Sequence, residues 1–386
     1  MSLKRRCTWV GNQFFPLFIF TVVFLMVFYN IRFSNYATSD KLFHDTEELK
    51  FKKDIINVKP NIKVKDTLNK KHKMIHDSNG PVPICTKNER IELLHEKCHG
   101  LNVNTELSSM ERMWISNNIF VDLQHKVLAC IPPKSGCTTW KSILANNSEN
   151  GPLPDAYNVM KLHFGKLKDF NIYSLARFNR TFQQQLLTSG EYYKFMIARH
   201  PFERLYSGYM NKLVSGIDRM MQKKHGYRIL TMFHPKLPES ERRNGRGVRF
   251  NEFVKYLKAP QSRNPHWEPI YNLCQPCKVR YNQVIKTETL DEDNVDIIKT
   301  YFGPHHRGIG TKGNVVAGGR QLSSLTRKGR KIDVFEDLDK TDLKYLLQRF
   351  SNDMAMFGYN WTLDTPNRNS TIHTACVNGA KNKMCC

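Results

Sequence analysis

Apolar residues along this chain fall into short runs that alternate with helical patterns. The runs Val127–Ile131 and Lys194–Ala198 have the length of buried strands. A turn of small or polar residues follows each run, and an amphipathic segment comes next: Thr139–Leu144 after the first run, and a stretch ending near Leu213 after the second. Strand, loop and helix in this order, twice, predict an α/β domain with a central, mostly parallel sheet.

Two further segments have the spacing of helices. Apolar positions recur on a broad face in Glu89–His99, at the start of the folded region. Thr341–Phe350 has a similar pattern near its end, and we expect this helix to pack late on the sheet.

The longest apolar run lies near the N-terminus. Residues Phe14–Ile31 follow a basic cluster at positions 4–6, and a helix of that length spans roughly 27 Å, close to the hydrocarbon thickness of a bilayer. Basic residues before such a run favour a cytosolic N-terminus. The pattern predicts a single-pass type II membrane protein, with a cleaved signal peptide as the alternative. Either interpretation places the remainder of the chain in a lumen.

The rest of the chain divides by composition. Residues 1–13 are the predicted cytosolic tail. Residues 32–80 are rich in Lys, Asp and Asn without periodicity, and they are interpreted as a stem that ends in turn-forming residues. The lumenal folded domain is predicted over 81–365, and residues 366–386 are predicted to form a C-terminal tail.

The charge of the chain points to an anionic partner. The 386 residues carry a formal net charge of +24, and 40% of them are hydrophobic, enough for a sizeable core. A nucleic acid, a membrane surface, an acidic glycan and a phosphorylated cofactor all fit such a charge. Four N-glycosylation sequons fit a lumenal domain and, with the anchor, argue against nucleic acid. They begin at Asn146, Asn179, Asn360 and Asn369.

The cysteines also favour an oxidising compartment, since nine of the ten follow the apolar run. Cys274 and Cys277 form a C-x-x-C pair, a spacing that zinc sites and redox dithiols also use. A zinc site would want a second pair of similar spacing, and a redox dithiol would want a thioredoxin-like setting. We therefore interpret the pair as parts of structural disulfides, in which each cysteine could bridge elsewhere; the connectivity stays open.

The turn after the first predicted strand has the composition of a phosphate site. Residues 133–139, here called the phosphate loop, have the sequence Pro-Lys-Ser-Gly-Cys-Thr-Thr and open a helix. Backbone N–H groups and the helix dipole attract an anion at such a turn. A Walker A loop would place its Lys after the second Gly, whereas Lys134 precedes Gly136, so that pattern fails.

The turn after the second strand carries an R-x-P-x-x-R-x-x-S pattern, formed by Arg199, Pro201, Arg204 and Ser207. A guanidinium can bind a phosphate with two hydrogen bonds, and a hydroxyl can donate a third. The spacing alone is a weak signal, but it becomes strong when the phosphate loop precedes it in the chain.

Together the two turns resemble the 5'-phosphosulfate loop and the 3'-phosphate site of sulfotransferases. Further segments resemble one group of these enzymes, the Golgi membrane-bound carbohydrate sulfotransferases that include the chondroitin and dermatan 4-O-sulfotransferases. These segments are Asn264–Pro269, Leu273–Cys277, Tyr281, Lys286–Leu290 and Phe357–Tyr359. The chain departs from that family at Ser135 and Gly136, where Val-Ala is usual, at Thr139, where Asn is usual, and in a longer basic insertion after Arg219.

The resemblance implies a P-loop-like sulfotransferase domain that uses 3'-phosphoadenosine 5'-phosphosulfate (PAPS) as co-substrate and needs no metal. Lys134 would stabilise the leaving phosphate oxygen. The catalytic base would be His163, with His266 and Glu203 as alternatives. The residues expected to bind PAPS are Pro133, Lys134, Ser135, Gly136, Cys137, Thr138, Thr139, Arg199, Arg204 and Ser207.

The resemblance also implies transfer to a glycan hydroxyl in the Golgi lumen, with position 4 of N-acetylgalactosamine in chondroitin as the first candidate. The nine Lys and Arg residues of Arg219–Arg249 are interpreted either as a cleft wall for an acidic glycan or as a solvated loop. The rival function is a non-catalytic glycan-binding protein on the same fold. Lys134, Arg199 and Ser207 argue against that rival, because a lectin needs no phosphate sites.

Overall fold

The computed structural model describes residues 86–101, 106–154, 159–303, 334–335, 337–359, 376–377 and 384–385. The predicted cytosolic tail, anchor and stem lie outside these residues, as does most of the predicted C-terminal tail. Among the helices of the described ranges, none is long and apolar enough to cross a membrane.

A five-stranded sheet has the spatial order β3-β1-β2-β4-β5. Its strands are β1 (Ile119–Asp122), β2 (Val127–Cys130), β3 (Ile172–Ser174), β4 (Tyr193–Ala198) and β5 (Gln283–Lys286). Strands β2, β4 and β5 are mutually parallel, whereas β1 runs antiparallel to both of its neighbours, β2 and β3. The sheet is therefore mixed rather than mostly parallel in its pairing, and the predicted parallel arrangement holds for the three strands that carry the site.

Each face of the sheet is covered by its own hydrophobic core, because successive side chains of a strand point to opposite faces. Ala129 and Phe195 belong to one core, together with the helix that follows β2. Leu128 and Met196 belong to the other, together with the helix that follows β4. Burial on both faces explains why Val127–Ile131 is continuously apolar instead of alternating.

The helices surround this sheet and are numbered in chain order. They are α1 (Lys87–His99), α2 (Ser109–Asn118), α3 (Cys137–Asn147), α4 (Arg180–Thr188), α5 (Pro201–Tyr209), α6 (Arg219–Met221), α7 (Tyr227–Phe233), α8 (Glu239–Asn244), α9 (Phe250–Tyr256), α10 (Ile270–Cys274), α11 (Leu290–Phe302), α12 (Lys340–Arg349) and α13 (Ser351–Met356). The helices predicted at 89–99, 139–144 and 341–350 correspond to α1, α3 and α12. A π-helical turn, Met210–Val214, continues α5, and two short strands, Cys376–Val377 and Met384–Cys385, pair antiparallel.

Capping residues set the beginnings of the first two helices. The side chain of Thr86 accepts a hydrogen bond from Glu89 N, and the Glu89 carboxylate accepts one from Thr86 N. Ser108 and Glu111 form the same capping box at α2. Helix α3 begins differently: its N-cap, Gly136, provides no side-chain hydrogen bond. The first N–H groups of α3 are thus left without the side-chain cap that α1 and α2 have.

Two disulfides connect distant parts of the domain. Cys98 is bonded to Cys277, and Cys130 to Cys274. The two C-x-x-C cysteines each bridge elsewhere, so the interpretation as structural disulfides is confirmed, and the zinc and redox-dithiol alternatives are excluded for this pair. Cys137 carries a free thiol.

Two of the four sequons fall on described residues. Asn146 is buried, and its side-chain oxygen accepts a hydrogen bond from Leu153 N (3.2 Å), so it is not accessible to a glycan. Asn179 is exposed as the N-cap of α4. Asn360 and Asn369 lie outside the described residues.

Candidate active site

The phosphate loop connects the end of β2 to α3, at the sheet edge where the parallel strands end. Lys134 (φ 71°) and Gly136 (φ 73°) both adopt the left-handed backbone conformation. For Lys134, which has a Cβ, this conformation costs about 1–2 kcal/mol, and such strain is concentrated at functional sites. A Cβ built on Gly136 would meet no atom within 4 Å, so the loop borders open space.

The polar groups of the phosphate loop are only partly satisfied within the protein. Ser135 is fully buried, and its hydroxyl has no hydrogen-bond partner among the described residues. A buried hydroxyl without a partner costs about 1–3 kcal/mol. Together with the missing side-chain cap of α3, this hydroxyl makes the loop suited to bind an anion.

Two arginines from the turn after β4 hold the carbonyl groups of the phosphate loop. Arg199 Nη1 donates to the carbonyl oxygen of Lys134 (2.8 Å), and Arg204 Nε donates to that of Pro133 (3.0 Å). Because the two polar groups of a planar trans peptide point in opposite directions, these bonds direct the next N–H groups away from the arginines. The two predicted phosphate motifs therefore meet on the neighbouring parallel strands β2 and β4.

Arg204, predicted from the pattern to bind PAPS, contacts backbone carbonyl groups in the structure. Its side chain is fully buried, and it also donates to the carbonyl oxygens of Pro265 and Glu268, both at 2.6 Å. Each of the three guanidinium nitrogens thus donates to a backbone carbonyl, and complete burial leaves the group inaccessible to a phosphate from solvent. We assign Arg204 the role of positioning the phosphate loop against the segment that contains His266.

Arg199 and Ser207 lie at the turn after β4 and on the helix that this turn opens. Arg199 directly follows β4, Ser207 lies on α5, and both side chains are half-buried. The carboxylate of Glu203 lies 3.7 Å from Arg199 Nε. Burial raises the pKa of Glu203 to about 6, although the positive charge of Arg199 lowers it. Glu203 thus acts as the partner of Arg199, and this engagement weakens its case as the base.

Several cations converge on the phosphate loop. Burial lowers the pKa of Lys134 to about 8, and the charges of Arg199 and Lys212 act in the same direction. Lys212 is itself paired with Asp218, with 2.7 Å between the charged atoms. Like charges gathered in a partly buried place favour the binding of an anion, which would raise the pKa of Lys134 again.

His163 lies in the 3-10 helical segment Val159–Phe164 and contacts α3. A hydrogen bond of 2.7 Å joins its Nε2 to the Thr138 hydroxyl, and its Nδ1 lies 3.5 Å from Lys141 Nζ. Burial, and after it the charge of Lys141, lowers the pKa of His163 to about 4. The imidazole is therefore neutral at neutral and mildly acidic pH, which is the state that can accept a proton.

His266 is the nearest alternative to His163. Its Nδ1 lies 2.7 Å from Asn264 Oδ1, and burial, followed by the charges of Lys212 and Lys134, lowers the pKa of His266 to about 3. The segment approaches α5 closely, because a Cβ on Gly208 would lie only 2.8 Å from the carbonyl oxygen of His266. Two histidines from different segments of the chain thus lie near the cationic loop.

Lys141 and Lys212 are the residues at this site that the sequence analysis missed. Lys141 lies on α3 one turn after Thr138; it is buried, and its ammonium group lies 4.5 Å from the centre of the Phe120 ring. The available signal was the spacing of three residues on the helix that the phosphate loop opens. For Lys212, the signal was its position at the end of the amphipathic segment after Ser207.

Two cavities lie in the described part of the domain, and residues of the candidate site line the smaller one. The larger has a volume of about 830 Å³, and Arg246 and Arg249 line it together with Asp337. His163 lines the other, of about 670 Å³. Within the basic stretch, Arg242 and Arg243 are each paired with Glu239 at 2.8 Å. The stretch is therefore partly neutralised, and only Arg246 and Arg249 of its nine cations line either cavity.

Among the described residues, no group of three His, Cys, Asp or Glu side chains could hold a metal ion.

Comparisons with known proteins agree with the site. A family model described as "Sulfotransferase family" matches residues 117–360. Carbohydrate sulfotransferase 11 of Rattus norvegicus is 28% identical over 268 residues, which are 67% of this chain and 72% of the relative. Carbohydrate sulfotransferase 14 of Danio rerio is 32% identical over 203 residues, 52% of each chain. Carbohydrate sulfotransferase 9 of Homo sapiens is 31% identical over 250 residues, 63% of this chain and 53% of the relative. No solved structure matches significantly.

The matched range contains both phosphate motifs and both candidate histidines. It also contains β1 to β5, so the whole central sheet lies within the family match. The resemblance that the two turns predicted is confirmed, and the chain belongs to the sulfotransferase family.

Proposed function

We propose that this protein transfers a sulfuryl group from PAPS to a hydroxyl of an acidic glycan in the Golgi lumen. The observation that carries the proposal is the phosphate loop, in which a buried Ser135 hydroxyl without a partner and an uncapped helix adjoin Lys134 and Arg199. The names of the relatives, all carbohydrate sulfotransferases, support a carbohydrate acceptor.

The residues present fit PAPS, which supplies the sulfuryl group when bound. The loop N–H groups, the Ser135 hydroxyl and Lys134 would hold the 5'-phosphosulfate through charge-assisted hydrogen bonds. Arg199 and Ser207 would hold the 3'-phosphate. Arg204 would contribute only through the loop carbonyl that it fixes.

The transfer itself needs a base and a positive charge. A sulfur–oxygen bond forms to the acceptor oxygen while the bond from sulfur to the phosphate oxygen breaks. His163 takes the acceptor proton, and its hydrogen bond to the Thr138 hydroxyl holds the imidazole beside the phosphate loop. Lys134 stabilises the negative charge that grows on the leaving phosphate oxygen. The products are a sulfate ester and adenosine 3',5'-bisphosphate.

The acceptor is proposed from the family resemblance and from charge. Position 4 of N-acetylgalactosamine in chondroitin is the first candidate, because the segments Asn264–Pro269 and Lys286–Leu290 resemble the chondroitin and dermatan 4-O-sulfotransferases. The net charge of +24 fits a polyanionic chain. The rival function, glycan binding without catalysis, would leave the cationic loop without a purpose, and it predicts no turnover of PAPS.

Replacement of Lys134 by alanine tests the function. Wild type should transfer radiolabelled sulfuryl from PAPS to chondroitin, and Lys134→Ala should lower kcat roughly ten- to a hundredfold, because a charge-assisted contact of about 1.5–3 kcal/mol is lost in the transition state. Arg199→Ala should instead raise KM for PAPS, since the 3'-phosphate does not react. Wild-type kinetics in both variants would remove the site assignment, and no transfer by wild type to any glycan would favour the rival function.

Lys134→Arg provides the matched control through its pH dependence. Burial brings the pKa of Lys134 to about 8, so the ammonium loses its proton, and the positive charge with it, as the pH rises through that value. In wild type, kcat/KM for PAPS should fall above about pH 8, well below the ordinary lysine pKa of about 10.4. Arginine stays charged there, and the decline should disappear in Lys134→Arg.

We extend the proposal to a type II membrane topology. The apolar run Phe14–Ile31 after a basic cluster supports an anchor, and two disulfides support an oxidising lumen. Protease added to intact microsomes should spare the domain, and a glycosidase should reduce its mass, with a smaller reduction in Asn179→Gln. A mature N-terminus found after residue 31 would instead establish a cleaved signal peptide.

A further inference from the structure

The smaller cavity, here called the β3 cleft, is distinctly basic. It is lined by β3 and by the 3-10 segments around it, Lys166–Phe170 and Leu175–Arg177, and its volume is about 670 Å³. Its lining residues include four Lys and Arg side chains and no Asp or Glu. These cations are Lys141, Lys166, Lys168 and Arg177.

The cations of the β3 cleft are little neutralised. Lys166 is paired with Asp169 across 3.6 Å at an exposed position. Lys168 and Arg177 are exposed, and the described residues provide neither with an ion-pair partner. Single exposed cations are ordinary on a protein surface. Here, however, they border a concave surface whose more buried members are Lys141 and His163.

The larger cavity is less suited to a polyanion. Arg249, one of its two basic residues, is paired with Glu252 across 2.6 Å. Asp337 adds a negative charge to its lining, which also contains apolar side chains such as Met210 and Leu213. The two cavities therefore differ in the charge of their linings, and the more positive lining of the β3 cleft favours an acidic ligand there.

We propose that the β3 cleft binds the acidic sugar residues next to the acceptor hydroxyl, with Lys168 and Arg177 pairing with their carboxylates. This inference rests on the proposed function, of which it specifies the acceptor site. His163 connects the two, since it lines the cleft and its Nε2 contacts Thr138 of the phosphate loop. A sugar in the cleft thus lies beside the base that the transfer needs. Tyr173 and Phe120 supply apolar surface for the sugar rings.

Equilibrium binding of a defined glycan tests the cleft without any turnover. The probe is a fluorescent unsulfated chondroitin hexasaccharide, measured by anisotropy on the full chain without PAPS. Lys168→Ser with Arg177→Ser should weaken binding roughly five- to tenfold at low salt, since an exposed ion pair contributes up to about fivefold. The loss should shrink as salt rises, because screening weakens such pairs. A neutral hexasaccharide of N-acetylglucosamine should bind wild type and variant alike.

The matched control removes the same charge elsewhere. Arg242→Ser with Arg243→Ser takes two cations from the basic stretch and should leave chondroitin binding within about twofold of wild type, because these residues line neither cavity. Equal losses in both double variants would overturn the proposal, as would an unchanged affinity in Lys168→Ser with Arg177→Ser or no binding by wild type. Adenosine 3',5'-bisphosphate should bind every protein equally. Since the function is judged by sulfuryl transfer and the cleft by binding, either can fail alone.

Discussion

Replacement of His163 by alanine should lower the rate of sulfuryl transfer by about 10²–10⁴, the contribution expected of a general base. The affinity for PAPS should change little, because the hydrogen bond from His163 to the phosphate loop involves only the Thr138 side chain. Single-turnover measurements at saturating PAPS and acceptor are the appropriate assay, since slow product release could otherwise hide the chemical step.

His266→Ala is the matched control for that prediction. Both histidines are neutral and flank the loop, but His266 lines neither cavity. We expect His266→Ala to retain most of the single-turnover rate. If His266→Ala loses the rate and His163→Ala keeps it, the base assignment passes to His266, whose Nδ1 contacts Asn264.

The pH profile of the reaction tests whether His163, with its lowered pKa, is the base. Because burial and then Lys141 bring the pKa of His163 to about 4, the neutral base persists in acid, and kcat/KM for the acceptor should stay level between about pH 7 and 5. An ordinary histidine, with a pKa of about 6.5, would lose activity there. Lys141→Met removes a nearby cation, raises the pKa of His163 and should move the acid limb to higher pH. A wild-type limb near pH 6.5 would contradict the assignment.

Replacement of Arg204 by methionine should reduce the free energy of unfolding by about 3 kcal/mol or more, because three carbonyl oxygens lose a donor and each unsatisfied buried polar group costs about 1–3 kcal/mol. The variant leaves the carbonyl oxygens of Pro133, Pro265 and Glu268 without the donor that joins them. Urea unfolding followed by circular dichroism should show the lower midpoint. Because Pro133 belongs to the phosphate loop, affinity for adenosine 3',5'-bisphosphate should fall in parallel.

Ser207→Ala separates the positioning role of Arg204 from a direct contact. Ser207 lies half-buried on the same helix, and its replacement should weaken binding of the bisphosphate with little effect on the urea midpoint. If Arg204→Met keeps the wild-type midpoint and only binds the nucleotide more weakly, Arg204 contacts the nucleotide directly, as the sequence pattern predicted.

The sequence best predicted the strands that are buried on both faces and the turns that directly follow them. Strands β2 and β4 are buried on both faces, so they are continuous apolar runs and could be predicted, together with the turns that follow them. Strand β5 (Gln283–Lys286) is equally buried, but four residues with polar ends give too short a pattern. Strand β1 (Ile119–Asp122) is as short, and its antiparallel direction depends on partners that no local pattern specifies.

The features of the site that the sequence did not predict are those formed by residues far apart in the chain. The role of Arg204 depends on carbonyl groups more than sixty positions away in the sequence, so the spacing to Arg199 could not distinguish a phosphate ligand from a loop anchor. The β3 cleft likewise combines Lys141 with Lys168 and Arg177 through the packing of β3 on β1. The basic stretch was easier to see because its cations are close in sequence, yet two of them, Arg242 and Arg243, pair with Glu239.

The stability of the active site depends on whether the two disulfides have formed. Cys130 ends β2, three residues before the phosphate loop begins, and Cys274 ends α10; the second bridge, Cys98–Cys277, encloses the first. Each bridge would contribute about 2–5 kcal/mol by restricting the unfolded chain, comparable with the net stability of a whole domain. A copy of the protein kept under reducing conditions would lack both bridges and the stability that they contribute, including the bridge that holds the end of β2 next to the phosphate loop.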